Sequence, residues 1–139
     1  MIGGMQQVRT ILFKRAFILL VLVGILNFVA NKLYFYWTLH YFDSLVHFLA
    51  GITVGLASVW FFSRNKVYMT QSSVFLSVFI GVFVVGIVWE VFELVYGITS
   101  FSDGMHYVTD TSLDIGMDMV GGVLAGIYSW KLFSQIHVR

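Results

Sequence analysis

Apolar residues run along this chain in four long blocks. Each is close to the roughly 20 residues that a bilayer core demands of a helix. The first block, Ala16 to Asn31, follows Arg9, Lys14 and Arg15 and is closed by Lys32. The aromatic stretch LYFYWTLHYF comes next and suits a membrane–water interface. A second block ends at Arg64 and Lys66, and a third reaches Tyr96. The segment GITSFSDGMHYVT, from Gly97 to Thr109, is polar and glycine-bearing and reads as a loop. A last helix then starts near Asp110, with Thr109 or Asp110 as its N-cap. The pattern predicts helices over about 14–36, 43–62, 74–96 and 110–133. A charged start before an apolar run also describes a secretory leader. Here no small-residue cleavage site follows, and the aromatic stretch continues the span. With no repeat, low-complexity segment or second domain, the expected fold class is an all-α membrane protein. It is a four-transmembrane-helix bundle in a single domain over 1–139.

Composition agrees. The chain is 59% hydrophobic and 11% charged, against about one half and one quarter in soluble domains. Lacking cysteine, it has no disulfide, thiolate nucleophile or Cys-ligated metal. It also lacks proline, so helix kinks must come from glycine or local bulges. The absence of a basic patch excludes nucleic acid as a partner, and no axial pair or phosphate-binding glycine loop points to haem or flavin. Arg9, Lys14, Arg15, Arg64, Lys66, Lys131 and Arg139 fall on one side of a four-span topology, and Lys32 alone on the other. By the positive-inside rule the protein is multi-pass in the cell (inner or plasma) membrane, with both termini cytoplasmic. The 31–42 and 97–109 connections then face outward.

The candidate chemistry lies in the acids. Asp43, Glu90, Glu93, Asp110, Asp114 and Asp118 fall in the expected helices, and Asp103 in a loop. Taking 1.5 Å per residue, His47 lies about 6 Å below Asp43. Glu93 and Glu90 lie roughly 5 and 9 Å below the outer end of their helix, and Asp114 and Asp118 about 6 and 12 Å below Asp110. Three helices thus bring polar groups to one depth. Asp43, His47, Gly51 and Gly55 form one stripe at four-residue spacing, and Asp110, Asp114, Asp118, Gly122 and Gly126 form another. Glycines at this spacing let membrane helices approach closely, so the two stripes are expected to meet. Glu90 and Glu93 share a face of the third helix, and Gly86 continues it inward.

Unpaired charge in a bilayer is costly, and only Lys32 faces outward to offset it. Protons or metal cations must supply the positive charge. Carboxylates with an imidazole suit one or two divalent ions: Mg, Ca or Mn, with Fe or Zn through His47. The expected metal ligands are Asp43, His47, Glu90, Glu93, Asp110, Asp114 and Asp118. Whichever of His47 and Glu90 is not a ligand is the candidate catalytic base. Asp43 or Asp110 taken alone reads equally as an interfacial cap, and Glu90–Glu93 as a protonated pair. Trp89 reads as lipid contact or core, and His40 and His106 as interfacial or loop residues.

Three motifs in order, DSLVHFLAG (Asp43–Gly51), WEVFE (Trp89–Glu93) and DTSLDIGMDMVGG (Asp110–Gly122), resemble the small bacterial inner-membrane proteins of the YjdF type. A more distant likeness is to the VanZ-like proteins, which are associated with glycopeptide resistance. The resemblance covers roughly Asp43 to Gly126. It implies site positions at Asp43, His47, Glu90, Glu93, Asp110 and Asp114, with Asp118 at the edge of the shared pattern. The aspartate run also resembles the metal-binding helix of CDP-alcohol phosphotransferases, but their fuller motif, with its Asp-Gly and Ala-Arg elements, is absent.

The leading reading is a metal-dependent hydrolase or transferase acting on a lipid or cell-envelope substrate, with the lipid bilayer as partner. The alternatives are a metal-binding or transport protein without turnover, and a structural protein whose metal clamps its helices. The oligomeric state is open.

Overall fold

A computed structural model of the chain describes residues 2–39 and 41–137. His40 and Arg139 lie outside the described residues, as do the side chains of Asp103 and His137. The elements are α1 (Ile2–Lys32), a short α2 (Phe35–Thr38), α3 (Phe42–Ser63), α4 (Gln71–Tyr96), a 3₁₀ turn (Phe101–Asp103) and α5 (Met105–His137). The described residues contain no strand.

Among them, three helices are long and apolar enough to cross a membrane: Gly3–Lys32, Phe42–Ser63 and Gln71–Tyr96. That is one fewer than the hydrophobic pattern predicts. The fourth block lies inside α5, a 33-residue helix that carries Asp110, Asp114 and Asp118 on its first half. Those acids and the polar residues near its C-terminus dilute its apolar character.

Local chemistry sets the helix ends. Thr70 caps α4, its hydroxyl accepting the Ser73 N–H at 3.1 Å. Gly97, at φ 67°, ends the helix, and its N–H turns back to the carbonyls of Glu93 and Leu94. After Lys32 the chain turns through Tyr34, the one non-glycine described residue at positive φ (60°). The first helix therefore stops short of the expected 36, and a separate elbow, α2, follows it. At the other boundary, α5 begins five residues before Asp110, so neither Asp110 nor Thr109 is its N-cap. Asp43 likewise lies inside the first turn of α3, behind Tyr41. A carboxylate in a first turn still meets the positive end of the helix dipole.

α3 is the central helix, packed against α1, α4 and α5, and α5 packs on both α3 and α4. Gly51 and Gly121 make the α3–α5 approach possible. A Cβ on Gly51 would fall on the Asp118 carbonyl, and one on Gly121 on the Phe48 carbonyl. Only hydrogen fits at either position. The expected partnership of glycine stripes holds at Gly55, where a Cβ would stand 3.3 Å from Gly122 Cα, and is displaced at Gly126. Gly122 also touches Val78 and Val82 of α4, and Gly126 faces Phe75 of that helix. Helix geometry explains the shift, because successive residues point about 100° apart.

Leu12, Ala16, Leu56, Val59, Val74, Val78, Ala125 and Phe133 form the core. This core occupies the end of the bundle where the N-terminal turns of α1 meet the C-terminal turns of α5, with Gly4 against Ile136. Arg9 donates to the Lys66 carbonyl at that end. Outer faces are apolar too: Phe17, Leu20 and Ile25 of α1, and Leu76, Val84 and Val88 of α4, are exposed. Contiguous apolar surface of this kind is what a bilayer covers.

Candidate functional site

The polar site sits at the end opposite that core. On α3, Asp43 and His47 lie one turn apart on one face. His47 is buried, whereas the Asp43 carboxyl is 40% exposed. From α5, Asp114 and Asp118, also one turn apart, reach the same imidazole. His47 Nε2 is 3.9 Å from Asp43 Oδ1 and 3.9 Å from Asp114 Oδ2. On the other side of the ring, Nδ1 is 3.3 Å from Asp118 Oδ2. Toward an ionised carboxylate, which can only accept, Nδ1 would be the donor of this pair. Gly86 of α4 closes this corner, where a Cβ would stand 3.1 Å from Asp118 Oδ2.

Asp43, His47 and Asp114 each offer one donor atom, and these atoms lie within 4.8 Å of one another. Tetrahedral donors about 2.1 Å from an ion would be roughly 3.4 Å apart. Two of the three separations, from His47 Nε2 to Asp43 and to Asp114, are 3.9 Å.

The remaining expected site residues are engaged differently. Glu90 is buried and accepts a 2.7 Å hydrogen bond from the Thr111 hydroxyl, which ties α4 to α5. Glu93 is buried and accepts from the indole N–H of Trp89, one turn back, at 2.9 Å. Asp110 is exposed, one turn above Asp114. His106, on the first turn of α5, is exposed. Thus Asp43, His47, Asp114 and Asp118 converge on one point, while Glu90 and Glu93 stand beside it with partners of their own. Trp89, expected as lipid contact or core, is half in each role: its ring is 41% exposed and its N–H holds Glu93. That contact has a sequence signal, the i, i+4 spacing. Thr111 has none, because its partner lies on another helix.

The elbow adds residues that sequence reasoning left out. The Tyr36 hydroxyl donates to Asn27 Oδ1 at 2.7 Å, and Asn31 donates to the same oxygen at 2.9 Å. Burial, then the nearby charges of Asp43 and Glu93, push the Tyr36 phenol up to about 12. Tyr36 therefore stands at the rim of the carboxylate cluster as a neutral hydroxyl.

A family model described as "Predicted membrane protein (DUF2238)" matches residues 6–135. The chain belongs to this family. It is the family of the YjdF-type proteins, whose three motifs the chain resembles. Every residue of the carboxylate–imidazole cluster falls inside the matched span of this DUF2238 protein. No curated protein and no solved structure matches the chain.

Proposed function

We propose that this DUF2238 protein is a four-span membrane protein. It would hold a divalent metal ion between Asp43, His47 and Asp114, near the outward-facing end of the bundle, and use it to hydrolyse or transfer a group on a lipid or envelope substrate. In this reading α5 is the fourth span. Its acids are tolerated because they face α3 and α4, as ionisable residues in membranes face bundle interiors. One observation carries the metal reading: three donor atoms from two helices lie within 4.8 Å of one another, two of the three residues being buried.

The donor chemistry fits. Asp118 on Nδ1 leaves the Nε2 lone pair directed at Asp43 and Asp114, the usual arrangement of a carboxylate orienting a metal-bound histidine. A bound divalent ion would acidify a water or polarise a phosphoryl or carbonyl oxygen. One imidazole and two carboxylates suit Mn, Fe or Zn better than an all-oxygen Ca or Mg site. The exposed side of Asp43 is the entry for substrate. Glu90, held by Thr111 on the same helix face as Asp114, is the candidate base. Glu93, Asp110 and a second ion belong to the same proposal as outer ligands. They rest on the density of carboxylates alone.

Elemental analysis of the protein purified from membranes tests this. About one Mn, Fe or Zn per chain is expected in the native protein and after Glu90→Gln, and none after Asp114→Asn. Hydrolysis of an aryl phosphodiester probe should require both the metal and Glu90. If no metal binds even after incubation with Mn, Fe and Zn salts, the imidazole is itself the counter-ion and the cluster is a structural clamp.

A further inference from the structure

On the basic side of the carboxylate cluster, α1 and α5 pack only loosely against each other. A cavity of about 420 Å³ lies between them, within the range of ligand clefts, about 300–1,000 Å³. Ile18 and Leu19 of α1 form one wall and Leu124 and Tyr128 of α5 the other, with Ile52 of α3 as the floor. Arg15 stands at the lip, its guanidinium 4.7 Å from the centre of the Tyr128 ring. Arg15, Ile18 and Leu19 share one helix face, so the charge sits directly above the apolar walls.

Arg15 has no carboxylate partner among the described residues. The nearest acid along α5 is Asp118, ten residues from Tyr128, or about 15 Å along the helix. The side chain is exposed, and its ring contact leaves the guanidinium edge free to donate. An apolar cleft with an unneutralised planar cation at its mouth matches one ligand chemistry. The guanidinium edge suits phosphate oxygens, and the walls suit hydrocarbon.

We propose that this cleft is a binding site for an anionic phospholipid of the leaflet at the basic end. Its phosphate is held by Arg15 and one acyl chain lies between α1 and α5 over Ile52. The site depends on the chain lying in a bilayer and is independent of the metal reading.

Native mass spectrometry of the detergent-solubilised full chain tests it, with phosphatidylglycerol and phosphatidylcholine of identical acyl chains as probes. Arg15→Gln should weaken phosphatidylglycerol retention about fivefold, the loss of one basic contact to an anionic lipid, and leave phosphatidylcholine retention unchanged. Lys14→Gln, which removes a neighbouring exposed charge that does not line the cleft, should change neither. Leu124→Trp fills the cleft from a half-exposed position and should lower retention of both lipids. Ile18→Trp does the same from the opposite wall if the first variant does not fold. Equal effects of Lys14→Gln and Arg15→Gln would reduce the attraction to diffuse surface charge and overturn the site. Unchanged retention in the tryptophan variants would overturn the cleft.

Discussion

His47 is the residue on which the candidate site turns. One imidazole between three aspartates can be a metal ligand or a buried cation, and the state of Nδ1 separates the two. Under the metal reading, Asp118→Asn keeps the ring in place but weakens its orientation and basicity. Metal affinity should then fall about 10- to 100-fold with the stoichiometry unchanged, as measured by titration of the metal-free protein. Loss of stoichiometry would make Asp118 itself a ligand. Tyr36 gives a separate reading at alkaline pH. Its folded value of about 12 lies above the ordinary 10 of a tyrosine. Between these values the unfolded chain loses the phenolic proton while the folded chain keeps it. The contribution of Tyr36 to stability is therefore fully present below pH 10 and declines as pH rises toward 12. The advantage of wild type over Tyr36→Phe in denaturation midpoint should be largest at neutral pH and shrink as pH rises toward 12. The variant should show the shallower alkaline decline.

At the scale of the element, the α3–α5 pair carries the site, and its spacing rests on two glycines. Gly51→Val places side-chain atoms on the Asp118 backbone. Overpacking of this kind costs about 1–3 kcal/mol or more, so the thermal midpoint in detergent should fall and, under the metal reading, metal affinity should fall as Asp118 moves. Gly24→Ala on α1 is the control, because nothing lies within 4 Å of its would-be Cβ. In a helix interior that change should leave stability level or raise it by about 0.5–1 kcal/mol. The four-residue spacing of Asp43–His47–Gly51–Gly55 was readable as one face, and on α3 that face does meet α5. The matching inference holds at Gly122, which lies against Gly55 of α3, but Gly126 meets Phe75 of α4 instead. A stripe fixes which residues share a face, but which of two adjacent helices it touches depends on helix rotation.

For the whole molecule, polarity is segregated by end. Arg9, Arg15 and Lys66 gather at the core end, and Asp43, Glu90, Glu93, Asp114 and Asp118 at the other. The proposed orientation, from the positive-inside rule, has the basic end in the cytoplasm. The chain has no native cysteine, which makes a direct check possible with single-cysteine variants at the exposed positions Lys66 and Ser102. A membrane-impermeant maleimide should label Ser102→Cys in intact spheroplasts and Lys66→Cys only after lysis. The opposite pattern would turn the site toward the cytoplasm and remove envelope substrates from consideration.

The sequence by itself determined the helical class and the approximate positions of the apolar blocks. Hydrophobic length and the placement of charges are properties of the chain alone. It also determined that Asp43 and His47 share a face, as do Asp114 and Asp118, since both follow from the helical repeat. Only the tertiary structure decided which carboxylates meet the imidazole. Asp114 and Asp118 reach His47 because Gly51 and Gly121 let α3 and α5 close to backbone contact. Glu90 turns to Thr111 and Glu93 to Trp89, each taking a donor within reach. The elbow that brings Tyr36 to the rim likewise follows from the turn at Tyr34, a backbone conformation that hydrophobic pattern does not encode. Distances between helices come from rotation and packing, which depend on all the faces at once, whereas period and length can be read one segment at a time.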